Sequence, residues 1–469
     1  MKKIIVLSSL AFLSTLAFAE TDMQKQIDDL KAQLEKLEKT QNSQEKQISK
    51  VNIQSAKDNI KFDVDFRTSI DALSYETASG EKFHNDALYS NRLWLGMGYA
   101  PTDEMIFKGQ LAFNKAFGAS AFEGTNPQRA YGFDAFDWVV NETLTDDSLK
   151  VREAYWLWMP TVGGLQTTLS VGRRPATNGS LINLRDDDKE QSPLGHVINM
   201  EFDGASASVK LDQIAQGMSF KFCLGRGLTN ARSWANSSGM NYLDAGNTLD
   251  TSDMFGFIFV PYNDGQYSVK TTWYRGMNLP GTVSGGDMDP TNDYLETRGD
   301  MDGAAVSLMS NGIGDEINEF LDETVIFASF ATSKSHPDSG KTMLGSEDSK
   351  NGYSYWIGTQ MPNLTGGKFG VEFNHGSSNW RPFTYGEDTM IGSKIAARGN
   401  AYEAYWTQPI VADAFSMQVR YTRIDYDYTG SNAFFGDYST PYAIDSNEAI
   451  GGGAVKTASD LRVYFRYRY

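Results

Sequence analysis

The last ten residues constrain this chain more than any other stretch. In Asp460-Leu461-Arg462-Val463-Tyr464-Phe465-Arg466-Tyr467-Arg468-Tyr469, the side chains of Leu461, Val463, Phe465, Tyr467 and Tyr469 fall on one face of a strand. Arg462, Arg466 and Arg468 fall on the other. In a water-soluble fold, a terminal strand with an exposed aromatic face is an aggregating edge. Closing that strand into a barrel removes the edge, turns the apolar face toward lipid and gives the arginines a wet interior.

The same period of two recurs upstream. Ile60, Phe62, Val64 and Phe66 alternate with Lys61, Asp63, Asp65 and Arg67, and similar runs begin near residues 93, 105, 151, 165, 220, 255, 267, 325, 369, 402 and 415. The strands such runs imply, about 9–11 residues each, are long enough to cross a bilayer when tilted. Alternation alone would also fit a soluble sandwich, so the connections decide. Short ones at Tyr99–Asp103, Asn263-Asp264-Gly265 and 408–415 alternate with long polar ones at 115–148, 174–195, 227–252, 277–300, 334–352 and 429–458. A sandwich rarely carries six loops of that length. Short turns on the periplasmic side and long loops outside are the plan of a membrane barrel. At about 25 residues per strand, residues 58–469 predict an all-β, transmembrane antiparallel barrel of about 16 strands, with 14–18 allowed. Composition fits this reading. The 13% aromatic content excludes a disordered chain, and a formal charge of -17 argues against a nucleic-acid partner. A single Cys excludes a disulfide framework.

The first 57 residues read differently. Lys2 and Lys3, the apolar stretch Ile4–Leu16 and Ala17-Phe18-Ala19 form a secretory signal over residues 1–19, with Glu20 the first mature residue. Residues 20–57 read as a short periplasmic coiled coil. Ile27, Leu34, Gln41 and Ile48 take its a positions, and Met23, Leu30, Leu37, Gln44 and Val51 its d positions. A seam this narrow needs a partner helix, which predicts a homo-oligomer through residues 23–51. The alternative is an amphipathic helix lying on its own barrel. No later segment has 18 consecutive apolar residues, so strands must make any membrane crossing.

Signal peptide, coiled coil and barrel, together with Leu169-Ser170-Val171-Gly172-Arg173-Arg174-Pro175-Ala176-Thr177-Asn178-Gly179, resemble a coiled-coil-tethered, outer-membrane porin-like family of unknown function. The resemblance covers residues 23–469. The chain end is also similar to the insertion signal of outer-membrane barrels, with Tyr469 standing where Phe is usual. The resemblance implies a porin in the outer membrane of a Gram-negative bacterium, surrounded by outer-membrane lipid and favouring a trimer. Such a protein passes small hydrophilic solutes or ions passively through a water-filled channel. A structural barrel that serves as a tether or surface adhesin, with no open pore, is the alternative.

Arg67, Arg92, Arg152, Arg173, Arg226, Arg275, Arg420, Arg462 and Arg466 lie on or beside the polar side of strand patterns, which makes them candidate pore-lining residues. Acids gather in loops at Asp186-Asp187-Asp188, Asp287, Asp289 and the stretch Asp315–Glu323. Ile313, Ile317, Phe320 and Leu321 give residues 311–322 a helical period. That segment could fold inward as a constriction loop, setting Asp315, Glu316 and Glu319 against the arginines in a transverse field. No 12-residue Ca²⁺ loop pattern accompanies the aspartates, so solvated loops are the simpler expectation. His84, His196, His336 and His375 form no HExxH pattern, and Asn374-His375-Gly376-Ser377 lacks a nucleophile elbow. Cys223 falls on the polar side of its strand with nothing nearby to lower its pKa. No catalytic set, cofactor or metal site is expected.

Overall fold

A computed structural model describes residues 60–119, 144, 148–231, 242, 249–283, 294–314, 317–384, 389–430 and 440–469. The expected signal peptide and coiled coil lie outside these residues. The first eight barrel strands are β1 (Lys61–Thr77), β2 (Lys82–Tyr99), β3 (Met105–Ala116), β4 (Lys150–Trp158), β5 (Leu165–Ala176), β6 (Met200–Lys210), β7 (Ser219–Leu228) and β8 (Ser252–Asn263). The remaining eight are β9 (Tyr267–Val283), β10 (Tyr294–Asn311), β11 (Val325–Pro337), β12 (Asn351–Pro362), β13 (Lys368–Gly376), β14 (Gly399–Val411), β15 (Phe415–Tyr426) and β16 (Val455–Arg468).

Each strand lies beside its sequence neighbours. The sheet closes where β16 pairs antiparallel with β15 (Tyr467 opposite Phe415) and with β1 (Tyr467 opposite Phe66). This is the closure that the terminal alternation requires, and it leaves the aromatic strand without an edge. Phe66, Trp156, Phe222, Phe257, Phe330, Tyr355, Tyr402 and Phe465 stand exposed on the outer wall, as a lipid-facing surface demands. Cross-strand aromatic pairs knit that wall. Phe415 stacks on Phe465 at 5.9 Å, and Phe220 stacks on Phe257 at 5.8 Å.

The tight turns follow their residues. At Asn263-Asp264-Gly265 the glycine takes φ +97, and the Asp264 carboxylate accepts the Gln266 and Tyr267 amides. Several strands run past the loops expected from sequence, because a strand can continue above the membrane. Residues 277–283 and 294–300 belong to β9 and β10.

Two connections on the long-loop side turn into the lumen. Residues 177–199, between β5 and β6, include a one-turn helix, α1 (Ile182–Asp186). Residues 377–384 and 389–398, between β13 and β14, include a 3-10 turn at Lys394–Ala396. They pair with each other. The Asn199 amide donates to the Phe383 carbonyl at 2.7 Å, and the Phe383 amide donates to the Val197 carbonyl at 2.9 Å. Val197, Ile198, Trp380 and Phe383 cluster with Tyr274 and Met301 of the wall, and Leu181, Ile182 and Ile395 cluster with Trp356 and Phe327. Each such side chain removed from water contributes roughly 1.5–3 kcal/mol. Wall glycines make room for the fill: a Cβ at Gly303 would sit 2.2 Å from the Tyr274 ring, and one at Gly370 would sit 2.2 Å from the Tyr405 ring.

Candidate functional site

Six of the arginines named from sequence meet inside the barrel. The ladder sets Arg67 directly opposite both Arg92 and Arg466, and Arg420 opposite Arg462. Like charges at directly opposed positions repel, so carboxylates must lie between them. Asp65 takes Arg466 in a close pair and Arg92 at 3.4 Å, while Asp71 takes Arg462 in a close pair. Arg152 sits where a bulge interrupts the β3–β4 ladder, reaching Glu201 at 3.2 Å and Thr177 at 2.5 Å. The Trp94 ring is held between two guanidinium groups, with Arg92 at 3.7 Å and Arg152 at 4.1 Å.

The inserted connection supplies the remaining negative charge. α1 stops because Asp187 takes a left-handed conformation, and the Asp187 and Asp188 amides turn back to the Leu184 and Asn183 carbonyls. That turn fans the three aspartates apart. Asp186 faces Arg420 at 4.0 Å and accepts from the Tyr464 hydroxyl at 3.1 Å, Asp188 pairs with Arg466 at 2.8 Å, and Asp187 pairs with Lys368. Arg185 reaches the other way, to Glu403 at 3.3 Å. Glu403 is also bonded to Lys394 of the second connection and to Thr422 at 2.7 Å. These carboxylates already serve cations, and among the described residues no three His, Cys, Asp or Glu side chains gather as metal ligands.

Other expectations need correction. Arg173, Arg226 and Arg275 face outward. The ladder places Arg173, Asp203, Arg226 and Asp253 in one cross-strand row on the outer wall, and Arg226 shares the face of Phe220, Phe222 and Leu224. Arg226 binds Asp253 at 2.7 Å with its side chain 56% exposed. Arg275 shares the face of Trp273 and binds Asp302 at 2.8 Å, beside His336. Each outward arginine has an outward carboxylate beside it: Asp203 for Arg173, Asp253 for Arg226 and Asp302 for Arg275. Glu319 also lies away from the arginines, on an exposed helix, α2 (Glu319–Asp322), in the β10–β11 connection on the short-turn side. Asp315 and Glu316 lie outside the described residues. The segment packed against the arginines is 177–199, which carries no amphipathic signal longer than one turn.

Sequence reading also passed over Asp65, Asp71, Glu403, Lys394 and the buried His196. His196 lies between Ser329 Oγ at 2.8 Å and Ser354 Oγ at 2.9 Å, with Trp356 and Trp380 each 5.7 Å from its ring. Burial pushes it down to about 3, so it stands neutral at pH 7. Phase could have found the acids: Asp65, Asp71 and Glu403 all alternate with outward Phe66, Ile70 or Tyr402.

A closed sixteen-stranded transmembrane barrel, with two infolded connections that meet both apolar and charged stretches of its inner wall, is the class this geometry defines. The chain belongs to the family described as "Protein of unknown function (DUF3373)", which matches residues 82–469. Solved structures similar to the chain include OmpF of Salmonella typhi in complex with daunomycin, at 11% identity and TM-score 0.46, covering 87% of this chain and 98% of that one. OprB of Pseudomonas putida matches at 11% identity and TM-score 0.47, covering 90% and 96%. The anion-selective porin of Comamonas acidovorans matches at 10% identity and TM-score 0.48, covering 88% and 100%. No curated protein matches the chain.

Proposed function

We propose that the barrel is an outer-membrane channel for passive diffusion of small hydrophilic solutes or ions. In this reading Arg67, Arg92, Arg152, Arg420, Arg462 and Arg466 line the passage, and residues 177–199 constrict it. The supporting observation is the band of inward arginines and carboxylates on β14–β16, β1 and β2 (Glu403, Arg420, Arg462, Arg466, Asp65, Arg67, Asp71 and Arg92), which lies on the same strands as the apolar cluster of Ala401, Ile424, Tyr426 and Ala458. A transverse field of that kind orders water and penalises apolar solutes. The N-terminal helix would stand in the periplasm and assemble three chains through residues 23–51. A chain lacking 23–51 should then show the native mass of a monomer, and an unchanged oligomer removes that part of the reading.

Planar-bilayer recording tests the channel. A steady, salt-dependent conductance is expected, rising severalfold when residues 181–195 are replaced by a short Gly-Ser linker. The full burial of Arg462, Asp71 and Glu403 favours a second reading, a structural barrel closed at this level. Correctly assembled protein without conductance, before and after the replacement, would establish that reading and overturn the first.

A further inference from the structure

Arg174, not Arg173, points into the lumen on β5, and it borders a cavity of about 50 Å³ where the inserted connection meets the wall of β5–β9, with Phe257 and Trp273 of the outer face also in its lining. Ser192 and Ile198 form the inserted side of this cavity, and Arg174, Phe202, Lys221 and Cys223 lie on the wall side. Two cations therefore share a small space. The Arg174 guanidinium donates to Ser206 Oγ at 3.0 Å and lies 5.1 Å from the Tyr155 ring. Lys221 Nζ donates to Ser192 Oγ at 2.8 Å. These partners are neutral. Arg152, Arg462, Lys270 and Lys394 each hold a carboxylate, but among the described residues none lies within ion-pair distance of Arg174 or Lys221.

Two buried cations with no carboxylate in contact, Glu153 acting on Arg174 only from beyond ion-pair distance, are costly to hold away from bulk water, and an anion between them relieves the cost. The cavity exceeds the roughly 10–15 Å³ that one water needs, so it holds a group several atoms large. A guanidinium matches a carboxylate with two parallel hydrogen bonds, and an ammonium supplies a third donor. Phe202 and Ile198 offer the rest of the molecule apolar contact and no hydrogen bond from their side chains, which disfavours a heavily hydrated dianion. We propose that this cavity is a binding site for a small monocarboxylate of about acetate size, held by Arg174 and Lys221. The proposal rests on the channel reading only for the ligand's route of entry.

Cys223 lines the cavity and is the single cysteine of the chain, so it reports on the site directly. The purified barrel in detergent micelles is treated with a sulfonate-bearing methanethiosulfonate and, separately, with its trimethylammonium counterpart. The anionic reagent should react roughly tenfold faster, because two local cations concentrate anions. Acetate should protect Cys223 saturably, while chloride at equal ionic strength should not. Arg174→Gln and Lys221→Gln, each checked for heat-modifiable gel migration as evidence of folding, should lose both the preference and the protection. Equal rates for the two reagents, or no protection by acetate, would overturn the site. Equal protection by inorganic phosphate would overturn the carboxylate assignment. Should neither reagent reach Cys223, calorimetric titration with acetate decides: saturable binding lost in both variants supports the site, and no binding overturns it. Labelling and calorimetry give these answers whether or not bilayers show conductance, so failure of the site and failure of the channel reading are distinguishable.

Discussion

On strands β9–β12 the inserted connection packs with Tyr274, Met301, Phe327 and Trp356, and with Trp380 and Phe383 of the second connection. On β14–β16 the same connection meets Glu403, Arg420, Tyr464 and Arg466. One short segment therefore presents Leu181, Leu194, Val197 and Ile198 to an apolar side and Arg185, Asp186 and Asp188 to a charged side. The difference separates two tasks. Apolar burial is indifferent to ionic strength and fixes where the segment sits, whereas the charged side ties its position to whatever ions occupy the lumen. In the channel reading proposed above, a constriction that hangs from both keeps its fold while its charge layout responds to its contents.

The largest test strikes the charged side. Glu403 is fully buried and serves Arg185, Lys394 and Thr422 at once, with Arg420 at 4.0 Å. Glu403→Gln leaves these cations short of their common counter-charge, and breaking a buried pair in this way costs about 3–5 kcal/mol. Urea unfolding in detergent micelles should show that loss. A change below about 1 kcal/mol, the size of an exposed pair, would mean that the charged side does not hold the segment and would break the comparison.

A smaller effect belongs to the apolar side and is read by pH. The unfolded His196 ring takes up a proton below about 6.5, but the folded ring does so only below about 3. Stability from this group is therefore complete above pH 6.5 and is lost progressively as the pH falls from 6.5 toward 3. Between pH 7 and pH 4 the loss should reach about 2–3 kcal/mol. Protonation of other groups also adds to the pH dependence, so the measurement is a difference between proteins. His196→Gln, which keeps a hydrogen-bonding group between Ser329 and Ser354, should unfold with a shallower pH dependence than the wild type. Identical pH dependence in both would show that the ring is not held neutral by its surroundings.

Much of the strand plan was legible because lipid imposes one rule on every second residue, although β6, β10 and β12 were not read from the sequence, and residues 277–283 and 294–300, expected in a loop, lie in β9 and β10. The lumen obeys no such rule. Asp186-Asp187-Asp188 looks like any solvated acidic loop, and only the fold shows that strands distant in sequence bring Arg420, Lys368 and Arg466 around it. The helical period at 311–322 was the stronger local signal, yet among its described residues it yields the four-residue helix Glu319–Asp322, with Ile317 and Phe320 exposed. The inward face of Arg67, Arg462 and Arg466 was legible because they alternate with Phe66, Leu461, Phe465 and Tyr467, whose side chains are exposed on the outer wall. Arg226 was misread for the opposite reason. It continues the apolar face of its own strand, where only the fold shows Asp253 standing beside it.

That last distinction gives the smallest expected effect. Arg226 and Asp253 form a well-aligned pair, with two hydrogen bonds of 2.7 and 2.9 Å, yet both side chains are open to solvent. Arg423 and Asp425 repeat the arrangement on β15. Exposed pairs of this kind contribute about 0–1 kcal/mol, because water and salt screen them and two long side chains must be ordered. Arg226→Gln should therefore leave unfolding within about 1 kcal/mol of the wild type and leave the reversal potential in a salt gradient unchanged. Arg420→Gln, which removes a buried charge between Asp186 and Glu403, should move the reversal potential toward cation preference. If Arg226→Gln moves it as far as Arg420→Gln does, the outer wall and the lumen are not electrically separate, and the assignment of the two faces fails.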